Sequence, residues 1–151
     1  MNKYNYGRQS VDDEDIAAVL SVLKSDYLTC GPKIKEFEQA ICNYTGAKYC
    51  VAISNATAGL HLATLAIGLQ KGDEAITSPI TFLSSANCIC FTGATPVFAD
   101  IDEHTANIDT NEIFAKITSK TKAIIPVHFA GQSCDMETIY NMAKQNNLYI
   151  I

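Results

Sequence analysis

The sequence predicts an α/β fold: a mostly parallel sheet with helices on both faces. Three observations predict it. Short segments read as strands at 51–53, 74–78, 96–99, 123–127 and 148–151, the first a β-branched apolar run. The segments between them carry helical spacing, and Gly, Pro or Asp marks most junctions. Strands and helices alternating along the chain argue for a largely parallel sheet covered on both faces.

The elements follow in order. Ser10 with Asp12, Asp13, Glu14 and Asp15 opens a helix over 11–25, because carboxylates favour the positive end of a helix; Ile16, Val19, Leu20 and Leu23 share one face. Tyr27-Leu28-Thr29-Cys30-Gly31-Pro32 is a turn. Pro32 suits the first position of a second helix, with Ile34, Phe37, Ala40 and Ile41 on its face and Gly46 at its end. A central strand at 51–53 then leads through Ser54-Asn55-Ala56-Thr57 into a helix at 57–69.

Lys71-Gly72-Asp73 turns the chain into a strand at 74–78, which Pro79 ends. A helix over 82–92 closes at Gly93 and a short strand at 96–99 follows. Asp109 and Glu112 have capping-box spacing for a helix to about Ile117. A strand at 123–127, a loop at 128–134, a helix at 135–145 and a strand from Leu148 complete the series. Residues 1–48 read as an N-terminal helical segment and 49–151 as the body of the sheet domain. The chain stops at Ile151 inside an apolar run that reads as a core strand, so the sequence is expected to be the front part of a longer protein.

Charge narrows the partners. The net charge is −5, Arg8 is the single arginine and there is no basic run, which argues against nucleic acid and against an anionic membrane surface. The longest nearly apolar run, 80–91, is too short to span a bilayer, and a cytoplasmic protein is expected. Six cysteines form no C-x-x-C pair and have no partnered histidine, so no metal site is expected. Most should be reduced and buried as small hydrophobes.

Chemistry concentrates at the turn before the third helix. The first amides of a helix lack internal partners and sit at the positive end of its dipole, so a small-residue turn there can seat an anion such as a phosphate. Ser54 and Thr57 add hydroxyls, while Ala56, Ala58 and Gly59 admit a ligand close to the backbone. The plainer alternative is that Ser54 or Asn55 simply caps a buried helix. A dinucleotide would want G-x-G-x-x-G at this turn, whereas the sequence is Ser54-Asn55-Ala56-Thr57-Ala58-Gly59. Pyridoxal phosphate needs one helix N-terminus, an aromatic platform and a lysine. Phe82, just past Pro79, is the candidate platform, with core packing as its alternative.

Four segments together resemble the DegT/DnrJ/EryC1/StrS family of pyridoxal-phosphate aminotransferases acting on nucleotide-linked keto sugars. They are Leu28-Thr29-Cys30-Gly31-Pro32 with Phe37-Glu38, Ser54-Asn55-Ala56-Thr57-Ala58-Gly59-Leu60, Ser78-Pro79-Ile80-Thr81-Phe82 with Ala86-Asn87, and Pro126-Val127-His128-Phe129-Ala130-Gly131. Within the family the wording looks most like the transaminases of the pseudaminic acid pathway. The resemblance implies the front part of a fold-type I large domain, homodimeric when complete. It also implies transfer of an amino group from L-glutamate to C4 of a UDP-linked 4-keto-6-deoxy-N-acetylhexosamine.

By the same resemblance Ala56 and Thr57 bind the cofactor phosphate and Phe82 stacks on its ring. Tyr6, Thr29 and Gly31 lie near the sugar, often across a dimer interface. Asn87 and His128 are motif positions without an assigned role; for His128 the plainer alternative is a loop histidine bonding backbone carbonyls. The family's Schiff-base lysine and its pyridine-pairing aspartate belong to motifs beyond residue 151. None of the ten lysines here is nominated in its place, so this chain alone carries no catalytic residue and is expected to be inactive. Two alternatives stay open: a non-catalytic remnant and a nicotinamide-dependent nucleotide-sugar oxidoreductase.

Overall fold

The computed structural model describes Gly7 and residues 9–151. These residues form two compact units that divide between Ala52 and Ile53.

The first unit holds α1 (Asp13–Leu23) and α2 (Pro32–Thr45). A reciprocal capping box starts α1: the Asp12 carboxylate accepts the Asp15 amide at 3.0 Å, and the Asp15 carboxylate accepts the Asp12 amide at 3.1 Å. Together the two bonds satisfy amides that a helix start otherwise leaves open. Pro32 opens α2, and Gly46 ends it at φ +75°, the left-handed conformation that glycine adopts without strain.

The expected strand at 51–53 is not a strand. Among the described residues the sheet has four strands, β1 (Glu74–Thr77), β2 (Thr95–Phe98), β3 (Thr121–Ile125) and β4 (Tyr149–Ile150), in the order β2-β1-β3-β4, and residues 51–53 belong to none of them. Without a ladder partner an extended segment has nothing to hold it in a sheet. The Ala52 amide instead donates to the Glu38 carboxylate at 2.9 Å, and Val51 is 74% exposed.

The second unit contains α3 (Ala56–Ala66), β1 (Glu74–Thr77), α4 (Ser84–Phe91), β2 (Thr95–Phe98), α5 (Thr110–Lys116), β3 (Thr121–Ile125), α6 (Met136–Asn146) and β4 (Tyr149–Ile150). All strand pairings are parallel, as the alternation predicts. Successive residues along β1 and β3 face opposite cores. Ile76 and Ile124 join Ile113, Ile139, Met142 and Ala143 under α5 and α6. Ala75, Ala123 and Ile125 join Leu69, Cys88 and Ile89 under α4. Small Ala75 and Ala123, both fully buried, let the α4 layer approach closely.

Cysteine burial is narrower than expected. Cys88 and Cys134 are buried, Cys42 and Cys50 are intermediate, and Cys30 and Cys90 are exposed; none is in a disulfide. Cys90 lies two residues from Cys88 on α4, on the face turned from the core, so helical phase decides which of the pair is covered.

Candidate functional site

Parallel strands put their carboxyl ends at one edge, where α/β sheets bind ligands. The segments leaving that edge are 78–82 after β1, Asp100 after β2 and His128 after β3.

Asn55 caps α3: its side-chain oxygen accepts the Ala58 amide at 2.9 Å, and its carbonyl accepts the Gly59 amide at 3.2 Å. The capping alternative therefore holds for Asn55, and it leaves room for the other. Among the described residues, the amides of Ala56 and Thr57 have no acceptor. Gly59 is small for a reason of its own, since a Cβ there would meet Ile53 Cδ1 at 2.4 Å.

The first turn of α3 is joined to the first turn of α4. Thr57 Oγ1 lies 2.6 Å from Ser84 Oγ, and Ser84 is 5% exposed. Farther along the two helices the Thr64 hydroxyl donates to the Cys88 carbonyl at 3.1 Å, and His61 meets Phe91 edge-on at 5.2 Å between ring centroids. Two helix N-termini thus lie side by side. Phe82 sits two residues before Ser84 and is 78% exposed, so it packs in no core. Free amides, a hydroxyl and an open aromatic face are the donor set that a phosphorylated flat ring requires, and these residues fit pyridoxal phosphate.

Thr29 and Gly31 belong to the first unit, in the loop between α1 and α2. They share a cleft of about 340 Å³ with Ser21, Tyr27, Lys33 and Ile34. Gly31 has a local reason as well: a Cβ would stand 2.9 Å from Tyr27 Cβ. Tyr6 lies outside the described residues.

His128 is exposed, and its Nδ1 accepts the Cys134 amide at 3.2 Å. It bonds a backbone donor, not the carbonyls expected of a loop histidine, across the single tight turn at Phe129–Gly131. Asn87 is half-buried and makes no side-chain hydrogen bond among the described residues.

A separate polar cleft of about 510 Å³ includes Asp102, Asp109 and Asp135. Each carboxylate there already accepts backbone amides: His104 and Thr105 to Asp102, Asn111 to Asp109, Thr138 to Asp135. The Thr105 hydroxyl and amide hold Asp102 below the usual carboxylate range, and Thr138 does the same for Asp135. Burial pushes the thiols of Cys88 and Cys134 up, away from the reactive thiolate.

Residues 9–151 match the DegT/DnrJ/EryC1/StrS aminotransferase family. The chain belongs to that family. Its members are pyridoxal-phosphate-dependent aminotransferases, which displaces the nicotinamide alternative.

The spore coat polysaccharide biosynthesis protein SpsC of Bacillus subtilis (strain 168) is 49% identical over 146 residues, 97% of this chain and 38% of its own length. The putative sugar aminotransferase Spr1654 of Streptococcus pneumoniae, in its PMP form, superposes with a TM-score of 0.91 at 33% identity, covering 97% of this chain and 37% of that one. Helicobacter pylori PseC, an aminotransferase involved in the biosynthesis of pseudoaminic acid, gives 0.89 at 35% identity over 99% of this chain and 40% of its own. The chain thus spans between 37% and 40% of the length of these relatives.

Two residues escaped the sequence reading. Ser84 reads there as one more helix residue, since its partner Thr57 is 27 positions away. Asn107 is 5% exposed and holds the 128–134 loop by three bonds; nothing local in the sequence marks it.

Proposed function

We propose that the protein carrying this chain is a pyridoxal-phosphate-dependent nucleotide-sugar aminotransferase, and that the described residues supply the phosphate and ring side of its cofactor site. When bound, the cofactor accepts an amino group from a donor and gives it to a keto substrate. The observation that carries the reading is the unsatisfied pair of amides at Ala56 and Thr57, set beside the Thr57 hydroxyl and the exposed Phe82.

In this reading Ala56 and Thr57 hold the phosphate at the positive end of α3, and the α3 dipole adds to their donors. Phe82 offers the face on which the ring stacks. Tyr6, Thr29 and Gly31 line the sugar side, with the pocket shared across a homodimer. The substrate class is a UDP-linked 4-keto-6-deoxy-N-acetylhexosamine, the donor is L-glutamate, and the place of action is the cytoplasm. Likeness to PseC, which is involved in the biosynthesis of pseudoaminic acid, and to SpsC, a spore coat polysaccharide biosynthesis protein, supports the substrate class.

The test is direct. Pyridoxal phosphate added to the whole protein should give a visible absorbance band that L-glutamate bleaches, and the UDP-keto sugar should then gain an amine detectable by mass. A protein that retains no pyridoxal phosphate would contradict the reading, and bleaching without sugar turnover would confine the error to the substrate.

A further inference from the structure

We infer that Ser84 is a positioning residue for the phosphate seat, acting through Thr57; the inference rests on the cofactor reading above. Ser84 opens α4, yet its hydroxyl caps no amide of its own helix. It lies 2.6 Å from Thr57 Oγ1 instead, and it is 5% exposed. The next residue, Ser85, is paired with Thr81 at 2.7 Å, inside the turn that carries Phe82.

The pair is not needed to hold the helices together. The Thr64 bond to the Cys88 carbonyl and the His61–Phe91 edge contact already clamp α3 to α4 farther along. What the pair controls is direction. Two hydroxyls at this distance share one proton between them and leave the other free. When an anion occupies the seat, Thr57 must donate outward, so Ser84 donates inward to Thr57 Oγ1. A donor whose own oxygen accepts a hydrogen bond is polarised and aligned. Ser84 also lies two residues past Phe82, so the same contact holds the seat at a set spacing from the ring platform.

The test uses pyridoxine 5′-phosphate and pyridoxine, which differ in the phosphate and lack the aldehyde, so binding is read without any covalent step. Wild-type protein should bind the phosphate ester more tightly. Ser84→Ala should weaken the ester about tenfold, about 1.4 kcal/mol, and leave pyridoxine unchanged. Ser84→Thr should restore the affinity, and Ser84→Ala added to Thr57→Val should cost nothing further. Ser84→Cys keeps the volume with a weaker donor and should show a smaller, still phosphate-selective loss if the alanine variant does not fold.

Equal losses for both ligands, or a full Ser84→Ala effect in the Thr57→Val background, would overturn the inference, as would no effect at all. A wild-type protein that binds both ligands alike would overturn the phosphate seat itself.

Discussion

Asn107 Oδ1 accepts the amide of Phe129 at 3.0 Å, joining the β2–α5 connection to the loop that leaves β3. Asn107 Nδ2 completes the clamp by donating to the carbonyls of Gln132 and Ser133 at 3.2 and 3.1 Å. The 128–134 loop therefore has its shape set from outside. Asn107→Leu leaves three backbone groups without their partner; the residues that carry them are exposed, so water meets most of the loss and the net cost is about 1 kcal/mol. Thermal denaturation should show a drop of several degrees, at roughly 4–8 °C per kcal/mol for a unit of this size. A melting temperature within a degree of wild type would mean that water replaces the clamp.

Phe82 separates packing from binding. Its ring is 78% exposed, so Phe82→Ala should change stability by less than about 0.5 kcal/mol. Binding of the pyridoxine ring should fall in the same variant. Calorimetric melting beside a ligand titration checks both, and a destabilised variant with unchanged ligand affinity would return Phe82 to the structural residues.

Gly31 tests the loop that carries Thr29. A Cβ there would come within 2.9 Å of Tyr27 Cβ, an atom fixed to the backbone, so the 27–31 turn must shift to receive it. Gly31→Ala should cost about 1–3 kcal/mol in the α1–α2 unit, as overpacking does. Hydrogen exchange confined to residues 27–34 would report it; unaltered exchange there would show that the turn yields freely.

Asp102 gives a pH dependence with a definite sign. Thr105, by its hydroxyl first and its amide next, keeps the folded carboxyl below its ordinary value. An unfolded aspartate titrates near about 3.9, so this stabilisation is present above that pH and is lost as pH falls through the lower folded value. Thr105→Val should therefore be less stable than wild type at neutral pH, with the gap closing on acidification. A gap that stays constant from pH 7 to pH 3 in thermal melts would contradict the assignment.

Much of the second unit was legible because its signals are local. The alternation of strands and helices gives the parallel sheet, and Asn55 and Asp109 cap the helices they precede, although Glu112 completes no capping box because the Asp109 amide donates to the Asp100 carbonyl. The strand at 51–53 misled for a physical reason: β-branched residues make a segment extended, but only a neighbouring strand makes it part of a sheet. Helical phase, invisible in a bare cysteine count, left Cys90 exposed beside buried Cys88. Ser84 and Asn107 could not be read because their partners lie 27 and at least 22 positions away, and only the fold brings them together. Motif wording pointed to Ala56, Thr57 and Phe82, while the link between the two helix starts came from the geometry.

The most direct test of the phosphate seat is a crystal structure of the protein with pyridoxamine 5′-phosphate. Phosphate oxygens should lie within hydrogen-bond distance of the Ala56 and Thr57 amides and the Thr57 hydroxyl, with the pyridine ring over Phe82. A phosphate bound away from the start of α3, leaving those two amides to water, would contradict it.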